Sequence, residues 1–201
     1  MRIPSFRFLP APLSALILAA MLLPAAPAPV AAGGFGCESL WFMRNLIAHR
    51  AGVCFGTPLG QATFGNAGCV AGAAPGPDGA ARMRQIAGIE RLFGCQVDTE
   101  ARALDAWVAG WDWSRIETVP TAREVNASCM SYQGPALTLH AAPHDAAPVT
   151  GTLQAGLSLG IFSEEENGWI FVRADTGSDN LGWVRTAPWF DDITSCEMWL
   201  P

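Results

Sequence analysis

Apolar positions along the chain fall into two regimes. From Glu38 to Ala51 (ESLWFMRNLIAHRA) there is neither Pro nor Gly, and Leu40, Met43 and Ile47 recur at the interval that places them on one face of a helix. Gly52 then stands where a left-handed C-cap would close it. Thr57-Pro58 reads as a cap followed by a first-turn proline, opening a short helix that ends near Gly65-Asn66. The stretch from Ala71 to Gly79 (AGAAPGPDG) has no apolar period and reads as a connection. A third helix is expected from about Ala80 to Phe93, with Met83, Ile86, Ile89 and Phe93 as its core stripe and Gly94 as its stop. A fourth, from about Glu100 to Ala109, would bury Ala101, Leu104 and Val108 and end at Gly110. Trp111-Asp112-Trp113 follows with no clear period, and no internal repeat is visible.

From about Gly134 the pattern changes to short apolar strands separated by Gly, Asn and Asp. Leu137-Thr138-Leu139, Gly151-Thr152-Leu153, Leu157 to Phe162, Trp169 to Val172 and Gly182-Trp183-Val184 are five strand candidates. Glu164 to Gly168 (EEENG) and Thr176 to Asn180 (TGSDN) are the turns between them. Five short strands in about fifty residues predict a small barrel. The fold class is therefore α+β: a small disulfide-linked helical domain over residues 33–125, then a five-stranded β-barrel with a C-terminal tail over 126–201.

Residues 1–32 read as a cleaved leader. Arg2 and Arg7 form a positive n-region, Leu13 to Leu23 is an apolar run, and Val30-Ala31-Ala32 suits signal peptidase. The run is too short to span a bilayer, which takes about 20 apolar residues. No Leu stands three residues ahead of Cys37, so a lipoprotein signal is excluded. No later stretch could span, so no membrane insertion is expected after cleavage. Loss of Arg2 and Arg7 with all 18 acids retained takes the net charge from −6 to −8. The product is expected to be periplasmic or secreted.

Six cysteines fit an oxidising compartment and read as three bridges. The helix after Cys37 spans roughly 21 Å, so Cys37 and Cys54 sit at its opposite ends. Bridged Cα atoms lie within about 7 Å, which excludes that pair. The expected pairing is Cys54 with Cys69 across a short loop, Cys37 with Cys95, and Cys129 with Cys196 tying the ends of the C-terminal segment, the alternative being a catalytic thiol among them or zinc. No CxxC spacing occurs, which disfavours zinc. Half the residues are apolar and 15% charged, too apolar for a disordered chain. All 12 basic residues are Arg, a bias most simply put down to a GC-rich genome, and no basic cluster points to nucleic acid.

The strands resemble the bacterial SH3-like domain over about residues 135–190. Leu137-Thr138-Leu139-His140-Ala141-Ala142-Pro143 corresponds to its first strand and Pro-containing loop, and Val149 to Gly156 (VTGTLQAG) to its I-G-x-L-x-x-G stretch. Asn167-Gly168-Trp169-Ile170-Phe171-Val172 and Gly182-Trp183-Val184 correspond to its closing strands, while Ala142 replaces the usual Gly before the loop proline. The helix after Cys37 resembles the YARHG family. Arg44, Asn45, Ile47, Arg50, Gly52 and Phe55 match its pattern R-N-x-I-x-A-R-x-G-x-x-F, with His49 in place of the Ala and Ala51 in place of the eponymous His. These resemblances imply an exported, envelope-associated protein: SH3-like domains of this kind include binders of peptidoglycan peptides, and the YARHG motif carries over as a fold signature rather than an active site.

The candidate binding residues are Trp111, Trp113, Arg44, Arg50, Trp169 and Trp183. Trp111 and Trp113 flank Asp112 as a sugar-stacking platform would, against simple core burial as the alternative. Arg44 or Arg50 could hold a carboxylate bidentately, such as a cell-wall peptide terminus; the simpler account has them capping carbonyls or pairing with local acids. Trp169 and Trp183 belong to the strand pattern as core or groove-lining residues. His140, His144 and Asp145 are most simply a solvated loop, since Pro143 precludes the helix that would align them. Glu164-Glu165-Glu166 reads as a solvated hairpin tip. Asp175 to Asn180 only faintly resembles a calcium loop, because position 12 is Thr186. Asn126-Ala127-Ser128 is a sequon of little weight in a bacterial host. The expectation is a non-enzymatic exported cell-envelope binding protein, recognising peptidoglycan peptides or an envelope protein partner, with no metal and no cofactor. The alternative is a cell-wall hydrolase using Cys and His, which needs a free thiol.

Overall fold

The structure is a computed structural model that describes residues 36–105, 111–175, 180–187 and 192–200. The expected leader and its cleavage site lie outside these residues. Among the described residues no helix is long and apolar enough to cross a membrane.

Among the described residues three α-helices come first: α1 (Cys37–Arg50), α2 (Pro58–Phe64) and α3 (Pro77–Leu92). Gly52, at φ 78°, ends α1 in a Schellman turn, with Val53 N donating to Ala48 O and Gly52 N to His49 O. Thr57 caps α2 as expected, its hydroxyl accepting from Gly60 N, and Pro58 occupies the first turn. The turn after α3 repeats the Schellman pattern, Cys95 N to Glu90 O and Gly94 N to Arg91 O, and so delivers Cys95 to the start of α1. Cys37 pairs with Cys95, Cys54 with Cys69 and Cys129 with Cys196, with Cα separations of 5.3, 5.1 and 5.4 Å. Residues 100–105 are not helical; the rest of the expected fourth helix lies outside the described residues.

The described strands form one sheet of β1 (Ala122–Tyr132), β2 (Leu137–His140), β3 (Val149–Leu153), β4 (Leu159–Ser163), β5 (Trp169–Ala174), β6 (Leu181–Arg185) and β7 (Cys196–Leu200), in the order β3-β2-β6-β5-β4-β1-β7. All five expected strands are present as β2 to β6. In place of the expected five-stranded barrel, the described residues form an open seven-stranded antiparallel sheet. Two strands escaped the hydrophobic pattern. β1 (AREVNASCMSY) carries too many polar residues to alternate cleanly, and β7 leaves Met198 and Leu200 exposed at the sheet edge. β1 also runs across position 125, where the composition suggested a boundary.

β5 is buried on both faces, and its alternation sorts the interior into two cores. Trp169 and Phe171 join Leu40, Met43, Leu46 and Ile47 of α1, Ile86 and Ile89 of α3, and Trp113, Ile116, Leu181 and Trp183. Ile170, Val172 and Ala174 join Leu139, Leu153, Leu159, Ile161, Val184 and Tyr132 in a second core lined by strands alone. At the β4–β5 hairpin, Asn167 and Gly168 take φ 54° and 80°, the two positive values a two-residue primed turn requires.

That hairpin is not merely a solvated tip. Glu164 and Glu165 are exposed, but Glu166 accepts from both ends of the Arg82 guanidinium at 2.6 and 2.5 Å and from the Thr121 hydroxyl at 2.9 Å. Arg82 also donates to Val119 O, so α3, the connection to β1 and the hairpin share one ion pair.

Candidate functional site

A groove of about 470 Å³ opens between α1, α2 and the connection that follows residue 110. Phe42, Leu46, His49 and Arg50 form the α1 side, Thr63 and Phe64 the α2 side, and Trp111 to Ser114 the third. Phe42, Leu46 and His49 lie at i, i+4 and i+7, a stripe adjoining the core face of α1. This was the sequence signal for the groove, hidden because α1 is apolar around most of its circumference.

The rings form one continuous array. Phe64 stacks on Phe55 at 5.0 Å, on Phe42 at 5.2 Å and on His49 at 5.4 Å between centroids. Phe42 meets Trp113 at 5.8 Å, and Trp113 stacks on Trp111 at 5.7 Å. On its other side Trp113 lies nearly parallel to Phe171, at 5.7 Å and 8°, and Phe171 packs edgewise on Trp183.

The connection itself is fixed from several directions. Asp112 caps the 3-10 turn Trp113–Arg115, its carboxylate accepting from Ser114 N and the Ser114 hydroxyl. Arg50 donates to Trp113 O at 2.8 Å and to Glu117 O at 3.1 Å. Burial pushes the Arg50 guanidinium below its ordinary value and the charge of Glu117 opposes it. Glu117 N and Thr118 N donate to Ala141 O, and Thr118 O accepts from the Trp183 indole at 2.9 Å.

Of the six candidate residues, the fold gathers Trp111, Trp113 and Arg50 and leaves three elsewhere. Arg44 faces α3, where its Nε donates to Glu90 at 2.9 and 3.2 Å. Trp183 is 0% exposed and is a core residue, so its sequence assignment to binding is corrected. Trp169 is 3% exposed, beneath the Arg185 guanidinium at 4.8 Å and beside the edge of His140. Trp111 is not an open stacking platform either, since Arg173 sits over its ring at 4.5 Å. The role of Arg173 and the groove residues Phe42 and Phe64 were missed, because nothing local in sequence links β5 to residue 111.

The motif of the first helix is spent on structure. Arg44 pairs with Glu90, Asn45 donates to Trp41 O, Arg50 clamps two carbonyls, Gly52 ends the helix and Phe55 stacks on Phe64. His140 ends β2 rather than lying in the expected solvated loop, with its Nδ1 3.1 Å from Ala147 O, and in the loop after it Asp145 pairs with Arg185. Among the described residues no group of His, Cys, Asp and Glu is arranged to hold a metal ion.

Comparison with known families finds two matches, which leave α3 between them. The YARHG domain matches residues 15–75, in line with the resemblance of the first helix. The strands expected to match an SH3-like domain are covered instead by a family described as Domain of unknown function (DUF4453), over residues 94–201. No curated protein and no solved structure matches the chain. With more than half its length in that second match, the chain belongs to the DUF4453 family and carries a YARHG domain ahead of it.

Proposed function

We propose that this is an exported, non-enzymatic protein of the cell envelope whose groove between α1, α2 and Trp111–Ser114 binds short cell-wall peptides. The groove carries the reading. At about 470 Å³ it lies within the range of sites that enclose a small ligand. Its walls combine Phe42, Phe64 and Trp111 with polar groups of His49, Thr63 and Ser114, the mixture a peptide with apolar side chains and an amide backbone requires. The YARHG match supports peptide binding in an exported setting, and three disulfides suit an oxidising compartment. A leader over residues 1–32, in this reading, supports an envelope role. A hydrolase using a cysteine nucleophile would need a thiolate, and all six cysteines are paired.

The test is co-sedimentation of the mature protein with purified sacculi, followed by titration with a synthetic stem pentapeptide. Saturable binding that Phe64→Ala weakens about ten-fold or more is expected, by loss of a buried aromatic contact. Protein left in the supernatant, with no response to the pentapeptide, overturns the cell-wall reading.

A further inference from the structure

We propose that the sheet completes this groove: Arg173 of β5 is a positioning residue that holds Trp111 in place as the groove wall. The site is thereby composite, built by the helices and the strands together. Its ligand rests on the reading above; its geometry does not.

The walls differ in how they are held. Phe42 and His49 are fixed by α1 and Phe64 by α2, whereas Trp111 and Trp113 lie in a connection where residues 111–121 carry one 3-10 turn, Trp113–Arg115. Trp113 is secured by the Arg50 clamp on its carbonyl and by the face of Phe171. Trp111 precedes that clamp. Its ring contacts include Trp113, Phe162 at a tilt with centroids 6.1 Å apart, and the Arg173 guanidinium at 4.5 Å from the centroid. A cation within about 6 Å of an indole face is attracted by the ring quadrupole, more strongly as water is excluded.

Phe171 and Arg173 lie two residues apart on β5 and so project from one face of the sheet. Their partners on β6 are Trp183 and Leu181, both buried, so the register that positions one positions the other. Burial pushes the Arg173 guanidinium below its ordinary value, and Asp175 opposes that. A half-buried cation placed over the ring that walls a groove gives the sheet a part in shaping it.

The experiment uses the mature chain with Arg173→Gln and Arg173→Lys, each also made in a Trp111→Phe background. Acrylamide quenching, taken as the difference between each protein and its Trp111→Phe counterpart, isolates Trp111 from the other indoles. Arg173→Gln should raise the Trp111 quenching constant and weaken the stem pentapeptide about three-fold, while Arg173→Lys, which keeps a cation, restores most of both. Unchanged quenching in Arg173→Gln overturns the proposal. Equal losses in the Gln and Lys variants also overturn it, because a structural role of the side chain would produce them without the charge. If the wild-type protein ignores the pentapeptide while the quenching differences stand, the ligand reading fails and the composite wall survives.

Discussion

The helical half and the sheet half of this molecule solve the problem of a small core in opposite ways. The sheet owns a core of its own, in which Leu139, Leu153, Ile161, Val172 and Tyr132 are contributed by strands alone. The helices own none. α2 buries only Leu59 and Gly60, α3 only Ile86 and Ile89, and the apolar face of α1 is completed by Trp113, Phe171 and Trp183. What the helices lack in shared apolar area is made up by two disulfides and by the Arg44–Glu90 and Arg82–Glu166 pairs. A small helical unit that must borrow its core tends to need such crosslinks. The groove lies on the borrowed side, which is why its Trp wall depends on β5.

The sharpest way to break this asymmetry is at Phe171, which touches Trp113 and Trp183 at once. Phe171→Ala should cost about 4 kcal/mol in denaturant unfolding, as large-to-small changes of buried aromatics do. The helical circular-dichroism signal should be lost first. Tyr132 offers an independent probe of the other core, being the only tyrosine in the chain and fully buried there. Burial pushes its phenol above the ordinary value, so its ionisation in alkaline solution, read by ultraviolet absorbance, should stay delayed in Phe171→Ala. If the phenol titrates normally in this variant, the two cores are one cooperative unit and the contrast fails.

The disulfides sharpen the comparison further because two of them close loops of similar length. Cys37–Cys95 and Cys129–Cys196 are separated by 58 and 67 residues. Chain entropy alone makes their removal nearly equally costly, roughly 4 kcal/mol each. Replacing both cysteines of either pair by serine should therefore give similar losses of stability. The helical signal should fall at lower denaturant only in the Cys37/Cys95 variant, whose bridge joins the start of α1 to the end of α3. Equal effects on the helices from both variants would mean that the sheet bridge also props up the helical half.

Much of this organisation is legible in sequence, and the boundary of what is legible has physical causes. Local chemistry marks α1 to α3 through their caps, Gly52 and Thr57-Pro58 especially, and marks β2 to β6 through alternation and the Asn167-Gly168 turn. β1 is concealed because its pairing with β4 and β7 is made by backbone, while its side chains remain mixed in polarity. Within the candidate site, Trp111, Trp113 and Arg50 stood out by residue type. Their convergence on Phe42 and Phe64 is a tertiary fact, since the pair of tryptophans lies some seventy positions along the chain from α1. Trp183 misled for the complementary reason. An aromatic strand residue looks the same in sequence whether it lines a groove or, as here, closes the core behind it.

The smallest expected effect concerns a charge pair on the sheet, where solvent screening leaves little to gain. Asp145 accepts a hydrogen bond from Arg185, and this holds its carboxyl below the usual carboxylate range. Its folded value being depressed, the pair stabilises the native state above the unfolded carboxylate value, about 3.9, and that contribution is lost as the pH falls through the folded value. Asp145→Asn should therefore leave the urea midpoint nearly unchanged at low pH and lower it slightly at neutral pH, flattening the acid limb of the stability profile. Because both partners are exposed, the change should shrink in high salt. A drop that persists in salt would show that this loop, and not only the helical clamps, depends on charge for its position.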